Sequence, residues 1–149
     1  MTLAARASTP SPTFERLLAS GRELRTTVAE LPRSLAECED RGQVMALLDD
    51  LHERLSRRFE REEAGGYLSE VLTDAPRLTR EAGRLRGQHG ELLERLDRLE
   101  AMAERCSEAT EWQELTAAAS RFRDALARHE QAENALIEEI VTTDLGGPD

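Results

Sequence analysis

The sequence predicts an all-α protein, an up-down-up-down antiparallel four-helix bundle. Three observations point there. Leu, Ala, Glu and Arg dominate a chain of 149 residues with 3% aromatics, a composition rich in strong helix formers. Apolar residues recur three and four apart in four separate stretches, the period of one helix face. The stretches are joined by short polar, Pro- or Gly-bearing connections, which make successive helices antiparallel neighbours. A chain of this length can bury one sizeable core, so a single domain is expected.

The Pro/Ser/Thr-rich arm of residues 1–12, "MTLAARASTPSP", is expected to be disordered, with the bundle over residues 13–141 and a tail over 142–149. The first helix carries Phe14, Leu17, Gly21, Leu24, Val28 and Leu31 on one face, and Pro32 is expected to end it. The polar run "RSLAECEDRG" then reads as a connection. The second stripe is Val44, Leu48, Leu51, Leu55, Arg58 and Glu62, continued by Tyr67, Leu68, Val71 and Leu72 up to Asp74–Pro76. Gly65 and Gly66 inside it would each cost roughly 1 kcal/mol against alanine. A second pattern also fits: Met45, Leu48, His52, Leu55, Phe59 and Glu62, which turns Arg58 outward. Glu62 faces inward in both. The third helix shows Leu78, Ala82, Leu85, His89, Leu92, Leu96, Leu99 and Ala103. After "RCSEAT" the fourth shows Leu115, Ala119, Phe122, Leu126, His129, Glu133, Leu136 and Ile140, and is expected to stop before "TTDLGGPD".

Each stripe has one interruption: Gly21, Arg58 with Glu62, His89, and His129 with Glu133. Counting from the turns gives their heights. Glu62 lies 13 residues before Ala75 and His89 lies 14 after it; His89 is 19 before Glu108 and His129 is 21 after it. Helices of equal rise therefore bring Glu62, His89, His129 and Glu133 to one level. Any one of these residues has a bland explanation. A lone inward histidine is more often a satisfied core residue than a ligand, and an i,i+4 Arg–Glu pair is usually a solvated surface pair. Jointly they are a candidate metal site. Two buried carboxylates need a neutralising partner, and mixed imidazole and carboxylate donors suit iron, manganese or zinc.

Three segments, "RRFEREEAGGYL", "LRGQHGELLERLDRL" and "ARHEQAENALIEE", resemble the hemerythrin-like HHE cation-binding domain, and the resemblance covers residues 14–140. It implies a four-helix bundle holding a non-haem di-iron centre used in dioxygen binding or in iron and redox sensing. Carried over by position, Glu62 and Glu133 are the carboxylates that bridge the two irons, and His89 and His129 hold one of them. The histidines that hold the other iron are replaced: the first-helix position is Gly21 or Arg22, and the second-helix H-F-x-x-E-E run has Arg58 at its start. The third helix has Leu85 and Leu93 one turn either side of His89, where some members place a second histidine.

One half-site is thus missing and the other reduced. A guanidinium roughly 5 Å from a divalent ion repels it by several kcal/mol at an effective dielectric of ~20. Arg58 is expected instead to supply the positive charge itself, bonded to Glu62 and Glu133, with Gly21 opposite leaving room for it.

Three readings follow. The first is a metal-binding protein with one ion, iron or alternatively zinc or manganese, on Glu62, His89, His129 and Glu133, with dioxygen as a candidate small ligand. The second is a metal-free pseudo-hemerythrin acting as an interaction or regulatory module. The third, an intact di-iron carrier using His52, is strained, because His52 lies ten residues before Glu62, about 15 Å by helical rise. No catalytic residues are expected: no serine or cysteine is placed with a histidine and no phosphate loop exists. A net charge of −10 argues against nucleic acid and anionic membranes as partners. Cys38 and Cys106 have no zinc spacing and read as reduced thiols of a cytoplasmic protein.

Overall fold

A computed structural model describes residues 22–65 and 76–145. Among them are five helical segments and no strand: α1 (22–29), α2 (Leu31–Glu37), α3 (Arg41–Gly65), α4 (Pro76–Arg105) and α5 (Ala109–Leu145). The arm, Phe14, Leu17, Gly21 and the 66–75 stretch with Tyr67, Leu68, Val71 and Leu72 lie outside the described residues.

Pro32 does not end the first helical run. Helix α1 stops at a turn on Glu30, and α2 begins at once, with the proline in its first turn. There its missing N–H costs nothing and its fixed φ suits the helix. Ser34 N–H donates to Glu30 O at 2.8 Å across the junction, and Leu31 and Leu35 are buried. Much of the expected connection is therefore helix; the chain opens only at Cys38, whose backbone is extended (φ −65°, ψ 136°). Asp40 then caps α3. Its Oδ1 accepts from Gln43 N–H at 2.8 Å, while Gln43 Oε1 accepts from Glu39 N–H at 2.8 Å, a reciprocal arrangement that fixes the helix start. The α4–α5 connection closes similarly: Glu111 Oε1 accepts from Ser107 N–H, Ser107 O–H and Glu108 N–H.

Helix α5 also overruns its expected end, continuing through Leu145. Thr142 is accommodated because its hydroxyl donates to Glu138 O at 2.7 Å, so β-branching alone does not stop a helix already held by packing. The expected boundary at residue 141 is therefore too early.

Contacts along the helices set their directions. Arg41 donates to Cys106 O and His52 Nε2 lies 3.0 Å from Asp97 Oδ1, so α3 and α4 run antiparallel. Gln88 meets His129 and Arg77 meets Glu139, so α4 and α5 do as well. Thr27 of α1 is reached by Arg54 of α3, and Arg25 of α1 by Glu130 of α5.

The core is in two parts. A large cluster runs from Leu24, Val28 and Leu31 through Leu48, Leu51, Leu55 and Leu96 to Leu115 and Phe122. A smaller one holds Leu78, Ala82, Leu85 and Leu136. Leu47 and Leu93 are half-buried against the larger cluster. Between the two lie the buried polar residues: Arg58, Glu62, His89, His129, Glu130 and Glu133. Cys38 and Cys106 are free thiols in the large-cluster end, and burial pushes both their pKa values up. No described helix is long and apolar enough to cross a membrane.

Candidate metal centre in the bundle core

Four side chains from three helices converge in the polar layer. Glu62 comes from the last turns of α3, His89 from the middle of α4, and His129 with Glu133 from successive turns of α5. Each offers one donor atom, and those atoms all lie within 4.8 Å of one another. None of the four is more than 3% exposed. Glu133 Oε2 is 3.1 Å from His129 Nε2 and 3.8 Å from His89 Nε2, and Glu62 Oε2 is 3.3 Å from His89 Nε2. Bonds of about 2.0–2.1 Å to a tetrahedral ion set neighbouring donors roughly 3.4 Å apart. The spacing fits one ion.

Two further observations support that fit. Glu62 Oε2 and His89 Nε2 are fully buried with no hydrogen-bond partner, both at the shared centre, and buried polar atoms are rarely left so. The outer nitrogens of both rings, by contrast, are held. His89 Nδ1 lies 2.9 Å from Glu63 Oε2 and His129 Nδ1 lies 2.7 Å from Gln88 Oε1. An acceptor on Nδ1–H fixes the tautomer that leaves Nε2 available as a ligand. Phe59 stacks flat on His89 (centroids 3.8 Å apart, planes at 6°) and meets His129 edge-on, restraining both rings.

The other side of the two carboxylates belongs to Arg58. Its Nε is 3.0 Å from Glu62 Oε1 and its Nη2 is 3.6 Å from Glu133 Oε1. Each carboxylate is thus divided, Oε2 toward the imidazoles and Oε1 toward the guanidinium. Arg58 is 7% exposed, so the choice between an inward Arg58 and an inward Phe59 was not a choice. A bundle helix faces two neighbours, and its buried stripe is wide enough for both. Gly21, expected opposite Arg58, lies outside the described residues; Arg22 is exposed. His52 does not join the centre. It is half-exposed and pairs with Asp97 at 3.0 Å.

The sequence reading missed three residues of this layer. Glu130 is buried and lies 3.2 Å from Arg25 Nε and 3.8 Å from Arg58 Nε. Glu63 and Gln88 hold the outer ring nitrogens. Each is next in sequence to a core-facing residue, which was the available signal: Glu130 follows His129, Glu63 follows Glu62 and Gln88 precedes His89.

The electrostatics are those of a crowded, buried acid cluster. Burial disfavours a charged His89, but Glu133, Glu62 and Glu63 outweigh it and push its pKa up to about 9. Burial also opposes ionisation of Glu133, yet His129 and His89 hold it well below the usual carboxylate range. Glu62 goes the other way, raised by burial against the opposing pull of the nearby His89 ring. Burial, opposed by Arg58 and reinforced by Glu133, pushes Glu130 up to about 7.

A pH prediction follows for metal uptake. The metal-free His89 ring is protonated below about 9, and a ligating imidazole must be neutral. Affinity for zinc, measured by chelator competition, is expected to rise about tenfold per pH unit between roughly 7 and 9 and then level off. The same raised pKa has the opposite effect on metal-free stability. The contribution of His89 is fully present below about pH 6.5 and is lost as pH rises through about 9. A pH-independent affinity would remove His89 from the ligand set.

Comparison with known proteins agrees with the geometry. Residues 80–147 match the family model described as the hemerythrin HHE cation binding domain. The match covers α5 and almost all of α4, the helices of His89, His129 and Glu133, and takes in neither Gly21 nor α3, which carries Arg58 and Glu62. No curated protein and no solved structure matches the chain. Over residues 80–147, a little under half of its length, the chain is similar to the hemerythrin HHE cation binding domain.

Proposed function

We propose that this protein binds one non-haem metal ion, iron in the first instance, on Glu62, His89, His129 and Glu133, with Arg58 in place of a second ion. The observation that carries the reading is the divided carboxylates. Glu62 and Glu133 each turn one oxygen to the imidazole pair and the other to one guanidinium. A residue that supplies a fixed positive charge between two buried acids removes the need for a second cation there and repels one. A single ion with an open coordination position would supply Lewis-acid and, as iron, redox chemistry. The protein residues hold that position dry, orient both rings and keep Glu133 ionised. The role that suits such a centre is binding or sensing of iron, redox state or oxygen rather than turnover, as no candidate nucleophile or phosphate loop is found in the sequence.

A metal-free module is the second reading, and one observation favours it. With His89 protonated, the cluster has its own cations, the imidazolium and Arg58, against the acids. Metal analysis of freshly purified protein, with a visible spectrum in air, separates the two. One metal per chain without oxo-bridge charge-transfer bands is expected. No metal after growth with added iron or zinc would leave the module reading, and two irons with those bands would refute both.

A further inference from the structure

We infer that the groove between α4 and α5 is a binding site for a small anion carrying two separated negative groups. The groove encloses about 400 Å³ and is lined by Arg84, Gln88, Glu91 and Arg95 of α4 and by Arg128 and His129 of α5. Gln88 meets His129 across it, so Arg128 stands between the levels of Arg84 and Arg95. By helical rise the outer two are about 16 Å apart, and Arg95 lies about 9 Å along the axis from the level of Arg128.

The chain carries 30 acidic residues against 20 basic ones, yet the groove is lined by three arginines and one carboxylate. Within the groove Arg84 is engaged by Glu81 at 3.1 Å. Arg95 and Arg128 have no ion-pair partner among the described residues, and Glu91 is the one carboxylate in the lining. Two guanidiniums set apart along a polar trough suit two carboxylate or phosphoryl groups, each taken by a planar fork. A monatomic anion cannot bridge them. With Gln88 Oε1 accepting from His129 Nδ1–H, the Gln88 amide N–H₂ is a further donor in the lining.

Neither Arg95 nor Arg128 belongs to the buried centre, so the inference stands or falls apart from metal binding. It is tested by calorimetric titration of the full chain, metal-free, with glutarate and separately with pyrophosphate, against chloride at equal ionic strength. The expected result is binding of at least one dianion, weakened about tenfold or more in the Arg95→Ala, Arg128→Ala double variant and unchanged in Arg98→Ala on an exposed part of α4. The tighter of the two identifies a carboxylate or a phosphate ligand. Absence of binding to both, an equal response to chloride, or undiminished affinity in the double variant would overturn it. Circular dichroism of each variant reads whether its helices are intact.

Discussion

Replacing Arg58 with alanine is expected to destabilise the metal-free protein by about 3–5 kcal/mol, the size of loss seen when one partner of a buried ion network is removed. Arg58 lies within 4 Å of three acids at once, Glu62, Glu130 and Glu133. Removing it leaves a cavity on the Oε1 side of Glu62 and Glu133, which keep only the imidazoles on their other side. Arg25 reaches only Glu130, from the rim, and is 44% exposed. Denaturant unfolding of wild type and variant measures the loss. Adding Glu62→Gln to the same chain should recover part of it, because a neutral amide needs no cation. A change below about 1 kcal/mol would place Arg58 among the surface-type ion pairs, whose contributions are that small.

Glu133→Ala is expected to lower metal affinity by well over 100-fold, the largest effect of any single substitution on binding. Glu133 Oε2 lies closest to the ring of His129 and within 3.8 Å of that of His89, so its loss removes the donor the two imidazoles share. Glu63→Gln offers a graded comparison. It leaves every donor in place and weakens only the support of His89 Nδ1, for which an affinity loss of about 10–100-fold is typical. Competition with a coloured chelator measures both. Equal affinities for wild type and Glu133→Ala would show that the ion binds elsewhere on an acidic surface.

The parts of this molecule that could be read from sequence are those where periodicity alone decides. All eight stripe residues of α4 are buried, His89 among them. Its pattern is strict because the helix lies against both α3 and α5 with leucine at nearly every inward turn. The heights of Glu62, His89, His129 and Glu133 were readable for a related reason: helical rise is constant, so a count from a turn is a distance. What counting does not give is width. It treated Arg58 and Phe59 as rivals, and it stopped at His129 without seeing Glu130, because a stripe one residue wide cannot describe a helix with two neighbours. Local signals failed where tertiary packing overrode them. Pro32 looked like a stop and is a start, since Leu31 and Leu35 anchor a further two turns to the core. Ile140 reads as an inner-face residue of α5 and is only half-buried, packed at the edge of the smaller cluster. Glu63 and Gln88 follow no period. They act on the outer nitrogens of the histidines, and which neighbour can reach an outer nitrogen depends on ring orientation.

The most direct test of Arg58 as the stand-in for a second cation is a crystal structure of the iron-loaded protein with anomalous scattering recorded at the iron edge. One peak is expected, bounded by the inner atoms of Glu62, His89, His129 and Glu133, with the guanidinium still against the outer oxygens of both carboxylates. Two peaks, or an Arg58 side chain turned out to solvent with iron in its former position, would contradict it.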